Sequence, residues 1–197
     1  MEKVIVVASK NKGKIKEFKE LLNPKGYEVR SLDDFPDMPE IDETGTTFEE
    51  NAVIKAQAVT DRYHIMAVSD DSGLEIDAFN KEPGIHSARW LGHDTDYKEK
   101  NRIVLERMGD RKDRTCRYAC AIAITRPDHE PVVFFDTVEC EIAWEPSGSN
   151  GFGYDPIIWY APFNKTMADM TNDEKNSISH RGKAVRKMEE WMEHEDL

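Results

Sequence analysis

The sequence has no apolar run of membrane-spanning length, which excludes a helical membrane protein. It starts Met1-Glu2-Lys3-Val4 and goes straight into a strand-like stretch, so no signal peptide is expected. Cysteine is scarce. Cys116, Cys120 and Cys140 form no CxxC pair, and an odd number of thiols without metal spacing points to reduced, buried side chains in a cytoplasm. Positive charge is short as well: 27 Lys and Arg stand against 39 Asp and Glu, a net charge of −12. That argues against a general binder of nucleic acid or of anionic membranes. The GxxxxGK[ST] spacing of a Walker motif is missing, and so are internal repeats, low-complexity tracts and interdomain linkers. What is left, 39% hydrophobic and 34% charged, is the composition of one globular domain long enough for a real core.

The chemistry is densest in Val68-Ser69-Asp70-Asp71-Ser72-Gly73-Leu74. The apolar run Ile65-Met66-Ala67-Val68 reads as a short buried strand that stops in two carboxylates, a hydroxyl and a glycine. Carboxylates at such a strand end can hold Mg²⁺ or take a proton from water. Taken alone, the tetrapeptide reads more readily as a turn, because Asp, Ser and Gly are turn formers.

An acidic chain that binds an anion has to concentrate its cations. Lys10, Lys12, Lys14 and Lys16 crowd the junction between a strand over Lys3–Ala8 and a helix carrying Ile15, Phe18, Leu21 and Leu22 on one face. Cations at a helix N-terminus oppose the helix dipole, which makes sense if an anion sits there on ammonium groups and free backbone N–H groups. A solvated lysine face is the bland alternative. Tyr27–Ser31 reads as a second strand, and residues 33–45 as an acidic loop. Thr47-Phe48-Glu49-Glu50 fits a capping box ahead of a helix with Phe48, Ala52, Ala56 and Val59 as its apolar stripe and Asn51 and Lys55 as its polar one.

Further along, Leu74–Asp77 alternates like a strand, and Tyr97–Met108 reads as an amphipathic helix stopped by Gly109. Residues 115–125 and 132–144 read as two long strands, with the cysteines on core faces and Trp144 grouped with them. In Gly151-Phe152-Gly153-Tyr154-Asp155-Pro156, glycines flank an exposed-looking aromatic that can stack on a base, or simply anchor a loop. The last helix is expected to begin at Ser179, with His180 and Arg181 in its first turn and Lys175 before them. That is a second place where cations await an anion or an electron-rich ring.

Six blocks now stand in order: Ser9-Lys10-Asn11-x-x-Lys14, Phe48-x-Glu50-Asn51-Ala52-x-x-Lys55-Ala56, Asp70-Asp71-Ser72-Gly73-Leu74, Pro83-Gly84-Ile85-x-Ser87-Ala88-Arg89, Gly151-Phe152-Gly153-Tyr154-Asp155-Pro156 and Lys175-x-x-x-Ser179-His180-Arg181. With them the chain resembles, over essentially its whole length, the inosine triphosphate pyrophosphatase family, in a bacterial form. The resemblance implies an α/β fold: an elongated mixed sheet with flanking helices, in two lobes around a nucleotide cleft. It implies hydrolysis of ITP, dITP and XTP to monophosphate and pyrophosphate, and a homodimer for which Trp90 and Trp159 are the apolar surface candidates.

By position, the resemblance makes Asp71 the proton acceptor and a Mg²⁺ ligand, with Glu43 the second metal carboxylate. Ser9, Lys10, Asn11, Lys12, Gly13, Lys14 and Lys55 would cradle the triphosphate, and Ser72 would add a contact. Phe152, Gly153, Tyr154 and Asp155 would wrap base and sugar, while Lys175, His180 and Arg181 read the base. The family commonly has a small or neutral residue at position 10 and Tyr at 90, where this chain has Lys10 and Trp90. The residues suit the reaction independently, since anhydride cleavage needs charge neutralisation, a positioned water and a base. Beside Mg²⁺, Asp71 is expected to have a lowered pKa and stay ionised, and its neighbour Asp70 could take either part. A non-catalytic nucleotide sensor would not need Asp71 and Glu43 intact. An aspartyl-phosphate phosphatase would want a DxD strand end, which is absent.

Overall fold

Continuous apolar runs and shorter alternating stretches build a sheet whose strands, in chain order, are β1 (Lys3–Val7), β2 (Tyr27–Ser31), β3 (Ala67–Ile76), β4 (Thr115–Thr125), β5 (Val132–Ile142), β6 (Ile158–Tyr160) and β7 (Lys165–Thr166). The helices are α1 (Lys12–Leu22), α2 (Phe48–Tyr63), α3 (Tyr97–Met108), α4 (Asn172–Ile178) and α5 (His180–Glu193). The computed structural model describes residues 3–92 and 94–195, so the lead-in Met1 and Glu2 lies outside the described residues. The strand order is β2-β1-β3-β4-β5-β6-β7. β1 pairs in parallel with β2 and β3, whereas β5, β6 and β7 are antiparallel, so the sheet is mixed as expected.

The chain divides into two compact units. The first runs to Asp71, takes Cys120–Asp136, and resumes at Ala184. Its core joins Ile5 and Val7 of β1, Phe18 and Leu22 of α1, Ile122 and Ile124 of β4, and Val185 and Met188 of α5. The second comprises Ser72–Ala119 and Thr137–Lys183. Its core joins Leu74 and Ile76 of β3, Val104 and Met108 of α3, Tyr118 of β4, Val138 of β5, and Tyr154, Ile157 and Met167. Truncating a core residue such as Phe18 to Ala costs about 3–5 kcal/mol, the usual range for a buried aromatic. All three cysteines are buried thiols, in keeping with a core role.

The main departure concerns β3. It does not stop at Val68; it continues through Asp70, Asp71, Ser72 and Gly73 to Ile76. The turn formers are overridden because each has a tertiary partner that wants extended backbone. Lysines meet the carboxylates, as described below. Gly73 is required by close approach: a Cβ there would collide with the Gly84 carbonyl oxygen and Ser87 Oγ. The Ser87 hydroxyl takes the Leu74 N–H at 2.8 Å and donates to Gly84 O at 2.6 Å, fixing that approach.

Smaller departures have local causes. Thr47 caps α2 by accepting from Glu50 N, but the Glu50 carboxylate turns to Thr46, accepting from its N–H at 2.7 Å and its hydroxyl at 2.9 Å. A helix absent from the sequence reading, α4, starts at the capping box Thr171–Glu174. Ser179 closes α4, and its hydroxyl also accepts from Gly182 N in the first turn of α5. β5 ends at Ile142, leaving Trp144 63% exposed with the Arg114 guanidinium 4.0 Å from its ring centroid. Trp90 is not a surface patch but packs against the core of the second unit, beside the Arg107 guanidinium.

Candidate active site

In the first unit, β3 and α2 bring the acidic residues onto two lysines. Asp70 and Asp71 are both buried. Lys14, on the first turn of α1, reaches Asp70 Oδ2 at 3.2 Å. Lys55, buried on α2, donates to the Asp70 carbonyl oxygen at 2.8 Å and contacts Asp71 Oδ1 at 3.1 Å and Glu43 Oε1 at 2.7 Å. Burial pulls the Lys55 ammonium down, but Asp71, Asp70 and Glu43 together lift it above its ordinary value, so it is held charged. For Asp71 the balance differs. Burial pushes its carboxyl up, and the pull of Lys55 and Lys14 only partly offsets this. The lowered value was expected of Asp71 beside Mg²⁺; the protein alone raises it, which makes Asp71 a stronger base once ionised.

The segment from Ser9 to Lys14 is a capped helix start. Asn11 Oδ1 accepts from Gly13 N at 3.0 Å and Lys14 N at 3.2 Å, and Ser9 Oγ accepts from Asn11 N at 3.1 Å. The N–H groups of Gly13 and Lys14 are therefore used within the protein, contrary to the expectation that an anion would take free backbone donors there. Lys10 and Lys12 are exposed, and Lys14 is turned to Asp70. The exposed ammonium groups of Lys10 and Lys12 are what this turn presents to an anion.

The donor set fits Mg²⁺. Asp71 Oδ2 is buried without a hydrogen-bond partner, an expensive state for a carboxylate oxygen. Among the described residues, no three His, Cys, Asp or Glu side chains converge into a metal cage. Mg²⁺ does not ask for one, because it is commonly held by one or two carboxylates with water or phosphate oxygens completing the shell. Asp71 and Glu43, joined through Lys55, meet that requirement.

The second unit holds the other predicted residues. Gly151 and Gly153 have φ of +70°, a region that favours glycine, and a Cβ on Gly151 would strike the Asp155 carboxylate. Asp155 Oδ2 accepts from Phe152 N at 2.9 Å and from Lys175 Nζ at 2.8 Å, while Oδ1 accepts from Tyr118 Oη at 3.1 Å. Asp155 is thus buried and occupied in shaping the loop. Tyr154 is buried too and donates its hydroxyl to Ser87 O at 2.9 Å. Phe152 is half-buried, with Lys175 Nζ 4.7 Å and Arg181 Cζ 5.8 Å from its ring centroid. Arg181 reaches Ser72 Oγ at 3.2 Å, and burial pulls its guanidinium down to about 10. His180 stacks on Tyr118 with centroids 4.8 Å apart and planes 24° apart.

Sequence reasoning missed two contributors. Tyr118 is not among the expected site residues, although it alternates with Cys116 and Cys120 on a buried face where a hydroxyl must find a partner. Asn51 read as part of a polar stripe; its Oδ1 accepts from Gly45 N at 2.8 Å, close to Glu43 in the chain.

Fold and site together define a class: α/β proteins with a mixed seven-stranded sheet, a buried carboxylate–lysine centre, and an aromatic loop flanked by cations. The Ham1 family matches residues 5–191. A dITP/XTP pyrophosphatase of Halalkalibacterium halodurans is 46% identical over 95% of this chain and 98% of its own length. One of Bacillus subtilis is 45% identical over 97% of this chain and 98% of its own. The structure of the Staphylococcus aureus Ham1 protein superposes with a TM-score of 0.87 at 40% identity, covering 98% of this chain and 99% of that one. The chain belongs to the Ham1 family, which bears out the resemblance carried by the six sequence blocks.

Proposed function

We propose that this protein hydrolyses the triphosphates of deaminated purines, dITP, ITP and XTP, to monophosphate and pyrophosphate with Mg²⁺, clearing them from the nucleotide pool. The coarser statement is plain: it is a nucleoside-triphosphate pyrophosphatase, an enzyme of the Ham1 family. The observation that carries the finer reading is Asp71, a buried carboxylate with one oxygen unpartnered and the other on Lys55.

Asp71 and Glu43 would hold the metal. Held there, Mg²⁺ would supply positive charge against the negative charge that builds during anhydride cleavage. Lys14 and Lys55 supply further positive charge to the triphosphate. Asp71, its carboxyl raised by burial, takes the proton from the attacking water. Phe152 offers a stacking face, and His180 and Arg181 offer donors to a 6-oxo group. Adenine presents an amino group at that edge and would leave those donors unsatisfied.

The test is a product assay over a panel of purine triphosphates with and without Mg²⁺, scoring pyrophosphate and orthophosphate separately. Pyrophosphate from dITP and XTP far faster than from ATP is the expected result; orthophosphate, or equal rates, overturns it. The homodimer belongs to this proposal, and a monomer mass by light scattering at micromolar concentration would remove it. Among the described residues no helix is long and apolar enough to cross a membrane.

A further inference from the structure

A chain of contacts in the second unit converges on one residue that the reaction itself does not call for. Tyr118 lies on β4, is 8% exposed, and belongs to the core cluster by packing. Its two ends do different things. The ring stacks on His180 at 4.8 Å and 24°. The hydroxyl donates to Asp155 Oδ1 at 3.1 Å, and the other oxygen of that carboxylate receives Lys175 Nζ at 2.8 Å and Phe152 N at 2.9 Å. Burial pushes the phenol well above its ordinary value, with Asp155 adding to the effect, so the hydroxyl stays protonated as a donor.

We propose that Tyr118 is a positioning residue for base recognition: its ring sets the plane of His180 and its hydroxyl fixes Asp155, which in turn holds Lys175 and the backbone of Phe152. This inference rests on the reading that Phe152, Lys175, His180 and Arg181 meet the base. The physical argument is one of preorganisation. His180 sits in the first turn of α5, and the aromatic face of Tyr118 restricts its ring. Lys175 is a long side chain whose ammonium would otherwise sample several rotamers. Asp155 pins it beside the Phe152 ring, and Tyr118 completes the hydrogen bonding of Asp155. A donor set held in one geometry before the base arrives discriminates between an oxo and an amino edge; a loose one adapts to both.

The two ends can be separated by mutation. Tyr118→Phe keeps the ring and removes the hydroxyl; Tyr118→Leu removes both. For Tyr118→Phe the ratio of kcat/KM for ITP over ATP should contract by roughly tenfold, the scale of one hydrogen bond to a charged group. For Tyr118→Leu the contraction should be larger, because the stack on His180 is lost as well. The inhibition constant of inorganic tripolyphosphate, which has no base, should stay the same in both. By NMR, the His180 ring protons should keep their ring-current shift in Tyr118→Phe and lose it in Tyr118→Leu. His180→Gln and Lys175→Met serve as references. If neither reference changes the ITP to ATP ratio, the base is not read here, and the reading and this inference fall together. If the references contract the ratio while Tyr118→Phe and Tyr118→Leu leave it unchanged, or lose ITP, ATP and tripolyphosphate alike, the inference alone is overturned. Tyr118→Phe preserves the packing volume, so the comparison survives if Tyr118→Leu does not fold.

Discussion

The two units bury charge in different settings. In the first, Lys55 meets Glu43 and Asp71, and Lys14 meets Asp70. In the second, Asp155 meets Lys175, and Lys175 and Arg181 both lie beside the Phe152 ring. Buried charge is costly unless compensated. The first cluster leaves Asp71 Oδ2 without a hydrogen-bond partner, which suits a divalent cation. The second sets cationic side chains against an aromatic face, which suits a flat ligand with an electron-rich oxygen.

The comparison breaks most visibly at Asp71. Asp71→Asn should fold and lose roughly 10²–10⁴ in turnover, the range for a removed general base. Turnover within a few-fold of the unmodified protein would take the base role away from it. Asp70→Asn should behave differently despite being the next residue. Its side chain is wholly buried against Lys14, and removing one partner of such a pair costs about 3–5 kcal/mol. A fall in Tm that outweighs the loss of turnover is the expected outcome. If Asp70→Asn instead keeps its Tm and loses turnover, the two carboxylates exchange roles.

Next in size are the lysines. Lys55→Met should raise KM for ITP roughly 10–100-fold, on the scale of a lost hydrogen bond to a charged group. Lys14→Met should do less, because Lys14 is the more exposed of the two and its contribution is screened. Steady-state kinetics at low and high salt check both. Weakening of the monophosphate product by the same factor as the triphosphate would place these lysines away from the outer phosphates.

How much of this was legible beforehand depended on whether a local rule was left alone by its tertiary context. α3, over Tyr97–Met108 with Gly109 after it, follows its periodicity and stop signal, and β4 spans the residues 115–125 read as a strand. The stripe Phe48, Ala52, Ala56 and Val59 is buried as its spacing requires. β3 was illegible past Val68, because nothing local says that Asp70 and Asp71 are held extended by Lys14 and Lys55, or that Gly73 serves close packing rather than a turn. α4 is legible from Thr171-x-x-Glu174, the same start signal as the one at Thr47. In the site, residue identities were legible from the motifs, but the division of labour was not. Asp155 and Tyr154 sit in a motif that reads as ligand-binding, yet their polar atoms are engaged by Lys175, Phe152, Tyr118 and Ser87.

The second cluster is sharpened by Arg181. Its guanidinium is buried, and its partners include Ser72 Oγ. Arg181→Ala should lower kcat/KM for ITP far more than for ATP, narrowing discrimination by about 1–3 kcal/mol. Phe152→Ala should weaken all purine triphosphates together, since stacking tolerates any base. Equal slowing of ITP and ATP by Arg181→Ala would assign Arg181 to phosphate or structure, and the second cluster would lose its meaning.

The smallest effect separates two uses of one residue. Asn11 lies in the motif that the family resemblance assigns to phosphate, yet its Oδ1 caps α1 through Gly13 N and Lys14 N. Asn and Asp are about equally good at an N-cap, and a negative charge there favours the helix by about 0.3–1 kcal/mol. Asn11→Asp should therefore hold or slightly raise Tm, while Asn11→Ala should lose about 0.5–2 kcal/mol. If phosphate also approaches this turn, Asn11→Asp should raise KM for ITP through repulsion despite its intact cap, and added salt should reduce the difference. A KM that follows Tm across the two variants would make Asn11 a cap alone, and the anion would be met by Lys14 and Lys55 without it.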